Sequence, residues 1–221
     1  MVATTESLAH RHLRGLRTSW LLTRYFHEMH KPGALTVKPH KVIRVLNGSG
    51  VSFVLMGTHG LNSWRSQARA TEDVDVLVAK RHHNKAIKAI HKAFPSLTMD
   101  DGLIVTRFKD PETKEPRIDL MKPLQTVYQM AFKYTKEIKG SHRIPDLEMA
   151  LISKFAAMVS PYRETPRKLQ DAADFADILV HNQNDIDTVK LCRLADEVYK
   201  GGHDEIAKLV GDILAGRPIS I

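Results

Sequence analysis

Cysteine, aromatic residues and long apolar runs are all scarce in this chain. Its 221 residues include one cysteine, Cys192, and 6% Phe, Trp and Tyr. A single thiol excludes an internal disulfide framework and any zinc site built from several cysteines, and it fits a reducing compartment. No apolar run approaches the roughly 20 residues that a membrane-spanning helix needs, and we find no secretory signal pattern. We therefore expect a cytoplasmic protein with no membrane partner.

The apolar content, 43% of the chain, is enough for one sizeable core with an appendage. The formal net charge is +8, and residues 1–50 carry eight Lys or Arg against two Glu. The segment 7–30 has a helical pattern with an apolar side formed by Leu13, Leu16 and Trp20, and an overlapping basic stripe formed by Arg14, Arg17 and Arg24. Such a stripe suits the phosphate backbone of RNA, but it is also typical of a solvated helix face.

Two acidic residues open a predicted strand in the middle of the chain. Asp73 and Asp75 lie two residues apart, at the start of an apolar run that ends near residue 79. Residues two apart in a strand point to the same side, so both carboxylates share one face while Val74 and Val76 face the core. Because neighbouring carboxylates repel each other, they share a proton or bind a hard cation such as Mg²⁺. Asp73 could also be only a cap after a loop.

A glycine turn precedes this acidic strand. The predicted strand 51–56 ends at Gly57-Thr58, where a tight turn lets backbone N–H groups approach a phosphate closely. Alone, Gly57 could simply end the strand. The turn and the acidic pair in this order together indicate a site for a divalent cation and a phosphate-bearing ligand.

Met56-Gly57-Thr58 followed by Asp73-Val74-Asp75 resembles the signature of the nucleotidyltransferase superfamily with the polymerase-beta-like fold. The stretch from Arg69 to Asp75 is similar to the Arg-x-Thr-x-Asp-x-Asp of bacterial AbiEii-like toxins and related uncharacterised nucleotidyltransferases. Thr58 replaces the usual Gly or Ser, and the loop to Asp73 is slightly long. The resemblance implies a metal-dependent nucleotidyltransferase that uses two Mg²⁺ ions and a nucleoside triphosphate. Its hydroxyl acceptor would belong to RNA, tRNA or a partner protein, and it could be the toxin of a toxin–antitoxin pair.

The resemblance also implies a set of site residues. Asp73, Asp75 and a third carboxylate on a neighbouring strand would bind the metal ions and carry catalysis. Asp119 is the candidate, because Ile118 and Leu120 on either side of it face the core. Without the resemblance, Asp119 could be a solvated residue on an edge strand. The implied nucleotide-binding residues are Gly57, Thr58, Arg69, Thr71 and Lys154.

Lys154 falls among apolar residues on a predicted helix that begins near residue 146. A lysine in this position needs an anion, which the resemblance implies is the triphosphate, or else it snorkels to solvent along its methylene stem. The next predicted helix is capped by Thr165-Pro166, and we expect Lys168 and Asp171 to form a structural ion pair on it.

The chain contains twelve histidines, which raise the question of a zinc site. The pairs His10/His12 and His82/His83 lack the spacing and the companion ligands of such a site, so we expect most histidines on the surface. His59 follows the glycine turn. We expect it to be exposed there, either as a nucleotide contact or as an ordinary surface residue.

The predicted layout is α+β: a nucleotidyltransferase-like mixed β-sheet flanked by helices, followed by a C-terminal helical region. Predicted strands are 51–56, 73–79, 103–109 and 116–121, and predicted helices are 7–30, 40–47, 59–66, 82–93 and 123–131. Gly201-Gly202 separates the last two helices. We divide the chain into a basic N-terminal extension (1–39), a nucleotidyltransferase-like core (40–140) and a helical region (141–221).

A second function stays open from the sequence. Thr58 and the long loop are also compatible with a fold that has lost turnover. Such a protein would act as a non-catalytic nucleotide- or RNA-binding module, or as half of a toxin–antitoxin pair that works by contact. Convergence of the three carboxylates would favour catalysis, whereas an Asp119 that points away would favour the binding module.

Overall fold

The computed structural model describes residues 6–219, and the chain divides into two compact units. The first unit contains the described residues up to 63, together with 67–124 and 135–144. The second contains Trp64–Ser66, Gln125–Tyr134 and the described residues from 145 onward. The ends of the predicted segments 1–39 and 141–221 lie outside the described residues.

A mixed sheet forms the centre of the first unit. Its strands are β1 (Phe53–Leu55), β2 (Val74–Val78), β3 (Thr98–Asp101), β4 (Val105–Lys109), β5 (Pro116–Met121), β6 (Thr135–Ile138) and β7 (His142–Pro145). They are ordered β3-β4-β5-β2-β1-β7-β6. The pairs β2/β5 and β1/β7 are parallel, and β1/β2, β3/β4 and β4/β5 are antiparallel. With the C-terminal helices described below, this confirms the predicted α+β class.

Helices cover one face of this sheet. The helices of the first unit are α1 (Leu8–His30), α2 (Pro39–Gly48), α3 (Gly57–Leu61) and α4 (His83–Ala93), which follows a 3₁₀ turn at Lys80–His82. Apolar residues of α2 and α4 share the core with alternate strand residues such as Val74, Val76, Ile118 and Leu120. Burying each of these side chains contributes about 1.5–3 kcal/mol relative to leaving it exposed. The intervening residues of β2 and β5 face the other way.

The long helix α1 buries a face that is mostly polar. Ser7 caps it by accepting a hydrogen bond from the His10 backbone. Its buried residues follow one another at steps of three or four and are His12, Leu16, Ser19, Thr23 and His27. The predicted apolar side is therefore wrong in part, since Leu13 is exposed. Within residues 6–219, no helix is both long enough and apolar enough to cross a membrane.

The second unit is helical. Its helices are α5 (Thr126–Lys133), α6 (Leu147–Val159), α7 (Thr165–His181), α8 (Thr188–Val198) and α9 (Gly202–Leu214). Asp146 and Asp187 cap α6 and α8 by accepting hydrogen bonds from backbone N–H groups. Gly201, with φ +96°, separates α8 from α9 as predicted. Helix α7 has Glu164 at its N-cap position, so the predicted cap at Thr165 is one residue late.

Three strands and two helices differ from the sequence prediction. The predicted helix 59–66 ends at Leu61, and the predicted helix 123–131 spans Thr126–Lys133. Strand β3 lacks the apolar alternation of a half-buried strand, because all four of its residues are exposed. Strands β6 and β7 have four residues each and carry charged side chains, so tertiary pairing decides their conformation.

Candidate functional site

Three carboxylates lie together on the sheet face that points away from the core formed by α2 and α4. In the parallel pairing of β2 with β5, Asp75 is directly opposite Asp119. Adjacent strands are about 4.8 Å apart, so these two side chains are immediate neighbours on one face. Asp73 precedes β2 by one residue, and its charge acts directly on Asp119. Asp73, Asp75 and Asp119, the three carboxylates predicted from the sequence, are therefore neighbours on this face of the sheet.

Asp119 has the most unusual environment of the three. Its side chain is 14% exposed, and its Oδ1 atom is buried with no hydrogen-bond partner among the described residues. Its Oδ2 atom lies 3.4 Å from Nε of Arg107. Burial first, and the Asp73 carboxylate second, raise the pKa of Asp119 to about 6. Asp119 therefore has one carboxylate oxygen that accepts no hydrogen bond, and its buried position disfavours the ionised form of the carboxyl group.

Gly57 fits directly against Asp75. Its φ is +55°, a left-handed conformation that favours glycine. A Cβ atom on Gly57 would lie 1.8 Å from Oδ2 of Asp75, which no side chain can tolerate. The turn after β1 therefore places bare backbone beside an acidic group, and Thr58 in the same turn is buried.

A chain of hydrogen bonds orients Asp73. The hydroxyl of Thr71 donates to Oδ1 of Asp73 over 2.8 Å. The backbone of Thr71 is itself held by the buried Thr23 of α1, whose hydroxyl accepts a hydrogen bond from the Thr71 N–H over 3.0 Å. The one proton of this hydroxyl is shared between the Ser19 carbonyl, at 2.8 Å, and the Thr71 carbonyl, at 3.0 Å. One turn earlier on α1, the hydroxyl of Ser19 donates to the carbonyl of Arg69 over 2.6 Å. Helix α1 thus fixes the segment that leads into β2.

Ion pairs extend this attachment to the end of α1. Lys31 lies 2.6 Å from carboxylate oxygens of both Glu72 and Glu115. The fully buried Arg117 pairs with the same two carboxylates at 2.9 and 3.0 Å. The Lys31 ammonium is the largest influence that lowers the pKa of Glu115, to about 2, so this pair stays charged at neutral pH. The network joins α1, the entry to β2 and the start of β5.

Several histidines are buried rather than exposed. His59 is 3% exposed, and burial lowers its pKa to about 3, so the expectation of an exposed residue is wrong. Its Nδ1 lies 3.4 Å from the Ser19 hydroxyl. His12 and His142 face each other with their Nε2 atoms 2.9 Å apart, and His83 is also buried. These rings have structural partners in the first unit.

Lys154 belongs to a buried cluster in the second unit. Its ammonium lies 2.9 Å from Asp171 and 2.7 Å from Asp174. Asp171 also pairs with Arg163, at 2.7 Å. The expected pair between Lys168 and Asp171 is therefore wrong: the ion-pair partners of Asp171 come from α6 and from the loop before α7.

The three carboxylates offer the donor atoms of a divalent-cation site but not its geometry. As the side chains stand within residues 6–219, no three or more His, Cys, Asp or Glu groups converge closely enough to hold a metal ion. Three features still suit a hard cation: only oxygen donors, an orphaned buried oxygen on Asp119, and a raised pKa that a nearby positive charge would lower. The donor atoms are therefore of the kind that Mg²⁺ prefers, although their positions within residues 6–219 do not form a metal site.

Sequence reasoning missed the residues that hold the acidic strand in place. Ser19 and Thr23 lie on α1, where the sequence predicts only an apolar side and a basic stripe, and Lys31 directly follows this helix. The available signal was the polar series His12, Ser19, Thr23 and His27, which recurs at helical spacing alongside Leu16. A polar stripe at core spacing indicates a helix that hydrogen-bonds to its neighbour.

No protein-family model and no curated protein matches this chain. The structure is similar to that of an antigenic nucleotidyltransferase-like protein from Paracoccidioides brasiliensis, with 15% identity and a TM-score of 0.45 over 81% of this chain and 95% of that one. It is also similar to terminal uridylyl transferase 4 from Trypanosoma brucei, solved with bound GTP. There the identity is 10% and the TM-score 0.32, over 76% of this chain and 55% of that one. Neither likeness is close enough to assign a function.

Proposed function

We propose that this protein is a metal-dependent nucleotidyltransferase that moves a nucleoside monophosphate from a triphosphate to a hydroxyl acceptor. The observation that carries the proposal is the direct pairing of Asp75 with Asp119 across β2 and β5, with Asp73 beside them. Carboxylates on adjacent strands repel each other unless a cation or a proton is shared between them. A site of this composition is suited to phosphoryl chemistry.

Asp73, Asp75 and Asp119 would hold two Mg²⁺ ions. When bound, such ions neutralise the charge of the triphosphate and lower the pKa of an attacking hydroxyl. The protein's own contribution begins with Thr71, which holds Asp73 in one orientation through its hydroxyl. Asp119, directly opposite Asp75 in the pairing of β2 with β5, would complete the site that activates the acceptor hydroxyl.

The nucleotide would be bound chiefly by backbone and by cations. Gly57 and Thr58 would bind the β and γ phosphates through the backbone N–H groups of the turn that follows β1. Arg69, in the segment that Ser19 holds, would neutralise developing charge. The role of Lys154 as a triphosphate contact stays a prediction, and it requires the ammonium to leave Asp171 and Asp174.

The acceptor hydroxyl would belong to RNA, including tRNA ends, or to a protein. The biological role that we propose is that of an AbiEii-like toxin of a toxin–antitoxin pair. The net charge of +8 favours a polyanionic acceptor. On α1, however, Arg14 pairs with Glu6 at 2.7 Å and Arg24 with Glu28 at 2.9 Å. These pairs weaken the basic stripe as an RNA surface.

A second candidate is a non-catalytic nucleotide- or RNA-binding module. Within residues 6–219, the carboxylates do not form a group that could hold a metal ion, and this observation favours the binding module. The first candidate transfers a nucleotide to an acceptor, whereas the second only binds nucleotide or RNA. The protein should be incubated separately with labelled ATP, CTP, GTP and UTP, with Mg²⁺ and with total RNA or cell lysate. Label that appears on a macromolecule and disappears with EDTA supports transfer, whereas nucleotide binding without transfer supports the module.

A further inference from the structure

Helices α2 and α4 carry positive charge of one sign only. The sequence contains no Asp or Glu between residues 29 and 71, a stretch that includes α2. It contains none between residues 76 and 99 either, a stretch that includes α4 and the 3₁₀ turn before it. Both stretches contain several lysines and arginines, so the two helices form a purely basic pair.

The basic residues of the two helices lie on their outer sides. Val42 and Leu46 of α2 and Ala86 and Ile90 of α4 are buried in the core under the sheet. Exposed basic side chains occupy the opposite side of each helix, because they recur at steps of three or four residues between the buried positions. These residues form what we call the basic helical surface: Lys41, Arg44, Lys85, Lys88 and Lys92.

Other helices of the chain neutralise their exposed cations. On α8, Arg193 pairs with Glu197 at 2.9 Å, and on α9, Lys208 pairs with Asp212 at 2.6 Å. Such pairs join residues four positions apart on one helix. Helices α2 and α4 have no acidic residue with which to form them. The positive charge of the basic helical surface therefore remains available to an external anion.

This surface lies on the opposite side of the sheet from the three carboxylates. Helices α2 and α4 share the core with Val76 and Leu120, whereas Asp75 and Asp119 face the other way. A polyanion bound to the helices is thus separated by the sheet from the negative charge of the proposed catalytic site. Its binding to the helices requires neither the carboxylates nor a nucleotide.

A pocket of about 370 Å³ lies where α2 begins and α4 ends. Its lining includes Trp20, Phe94, Lys38 and Lys41, and the Lys41 ammonium lies 4.4 Å from the centre of the Phe94 ring. Proteins that bind single-stranded nucleic acids combine a basic groove for the backbone with aromatic side chains on which bases stack. The pocket therefore suits a nucleobase of a strand that follows the basic helical surface.

The composition of the surface argues against a membrane as its partner. Helices that lie on anionic membranes carry large apolar side chains that insert between the lipids. Within residues 6–219, no exposed large apolar residue lies between Met29 and Met99, the segment that contains both helices. The surface thus offers charge without an inserting group, which favours a soluble polyanion.

We propose that the basic helical surface binds the phosphate backbone of single-stranded RNA and that the pocket beside Trp20 holds one of its bases. The choice of RNA over DNA rests on the proposed function, whose acceptors include RNA. Each lysine or arginine that neutralises a phosphate releases a bound counterion, so the affinity falls steeply as the salt concentration rises.

The test measures binding of a fluorescein-labelled RNA of about 20 nucleotides between about 50 and 200 mM salt, with EDTA and without nucleoside triphosphate. The double variant Arg44→Gln/Lys88→Gln should bind roughly tenfold more weakly. Its slope of log K against log salt should be shallower by about 1.4, or about 0.7 for each lost phosphate contact. The matched control, Arg193→Gln/Lys208→Gln, also removes one arginine and one lysine, and it should keep the wild-type affinity and slope.

Tryptophan fluorescence locates the base. Unlabelled RNA should quench the fluorescence of Trp20, whereas Trp64, which is 7% exposed, supplies a constant background. The variant Trp20→Phe keeps an aromatic ring, so it should still bind RNA but lose the quenching.

Equal losses in the two double variants would show that net charge alone attracts RNA and would overturn the proposal, as would RNA binding without quenching. Tighter binding of DNA of the same sequence, or binding of phosphatidylserine vesicles in place of RNA, would also overturn it. These outcomes leave nucleotide transfer untouched. Conversely, RNA binding as described, with no transfer of label in the assay above, would overturn the proposed function and leave this surface standing.

Discussion

The hydroxyl of Thr23 on α1 accepts a hydrogen bond from the backbone N–H of Thr71 over 3.0 Å, and it shares its own proton between the carbonyls of Thr71 and Ser19. Through the Thr71 hydroxyl, which donates to Asp73, this contact reaches the first carboxylate of the proposed site. Helix α1 therefore contacts the segment that leads into β2, although the two residues are 48 positions apart in the sequence.

Thr23→Val keeps the shape of the side chain and removes the hydroxyl. We expect the free energy of unfolding to fall by about 1–3 kcal/mol, because two backbone groups lose their partner. We also expect a roughly tenfold lower kcat and weaker Mn²⁺ binding, because Asp73 loses its orientation. Thr23→Ser should restore all three quantities. A variant that loses stability but keeps wild-type kcat and Mn²⁺ affinity would show that Thr23 is structural only. The control variant is Thr18→Val, which changes a residue on the exposed face of α1.

Gly57→Ala should displace Asp75. The added Cβ would lie 1.8 Å from Oδ2 of Asp75, so the carboxylate must move, and we expect a loss of Mn²⁺ binding of roughly a hundredfold or more. The left-handed conformation alone costs about 1–2 kcal/mol. Gly140→Ala is the matched control, since Gly140 also has positive φ, +71°, but no atom within 4 Å of its Cβ position. Equal Mn²⁺ affinities in the two variants would contradict the close contact between Gly57 and Asp75.

The variant Lys154→Met tests whether Lys154 is a structural residue or a phosphate ligand. The substitution removes the ammonium that Asp171 and Asp174 share, although Arg163 and Arg65 still pair with them, and we expect a loss of about 1–3 kcal/mol in the free energy of unfolding. Urea unfolding measures this loss, and calorimetry with Mg·ATP on the folded variant measures nucleotide affinity. A stability loss at unchanged affinity would remove Lys154 from the nucleotide site. An affinity loss of about ten- to hundredfold would instead support the predicted triphosphate contact.

The buried histidine pair predicts acid sensitivity. Burial, with the neighbouring His142, His59 and His40, lowers the pKa of His12 to about 3, and burial lowers that of His142 to about 4. The native state therefore binds fewer protons than the unfolded chain below pH 6.5. The free energy of unfolding should fall as the pH falls, by roughly 2 kcal/mol for each ring at pH 5.

The variant His12→Gln tests this linkage. The glutamine amide can still reach His142 but does not titrate, so the stability lost between pH 7.5 and pH 5 should shrink by roughly 2 kcal/mol. Urea unfolding at the two pH values measures the change, and the exposed His10→Gln on the same helix is the control. An identical pH dependence in both variants would show that His12 does not cause the acid sensitivity.

The acidic trio could be predicted from sequence because it depends on local alternation. Asp75 and Asp119 each lie between core residues, so strand geometry alone sets the face on which they lie. The partners of Lys154 could not be predicted in this way. A lysine on an apolar helix face requires an anion, but the sequence does not specify whether that anion is a ligand or the carboxylates of Asp171 and Asp174.

The attachment of α1 was beyond prediction for a similar reason. Ser19 and Thr23 have hydroxyls that can bond to any nearby backbone, and only the folded chain brings Arg69 and Thr71 to them. Strands β6 and β7 were missed because short charged segments carry little apolar alternation, although Ile138 and Ile144 do enter the core.

The most direct measurement compares nucleotide transfer by the wild type, Asp75→Asn and Asp100→Asn, using labelled nucleoside triphosphate, Mg²⁺ and the acceptor identified in lysate. Asp75 lies opposite Asp119, whereas Asp100 is an exposed acid on β3 that pairs with Lys109. We predict that Asp75→Asn abolishes transfer in a protein that remains folded, because it removes a metal ligand, and that Asp100→Asn retains transfer. Near-wild-type transfer by Asp75→Asn would contradict the account.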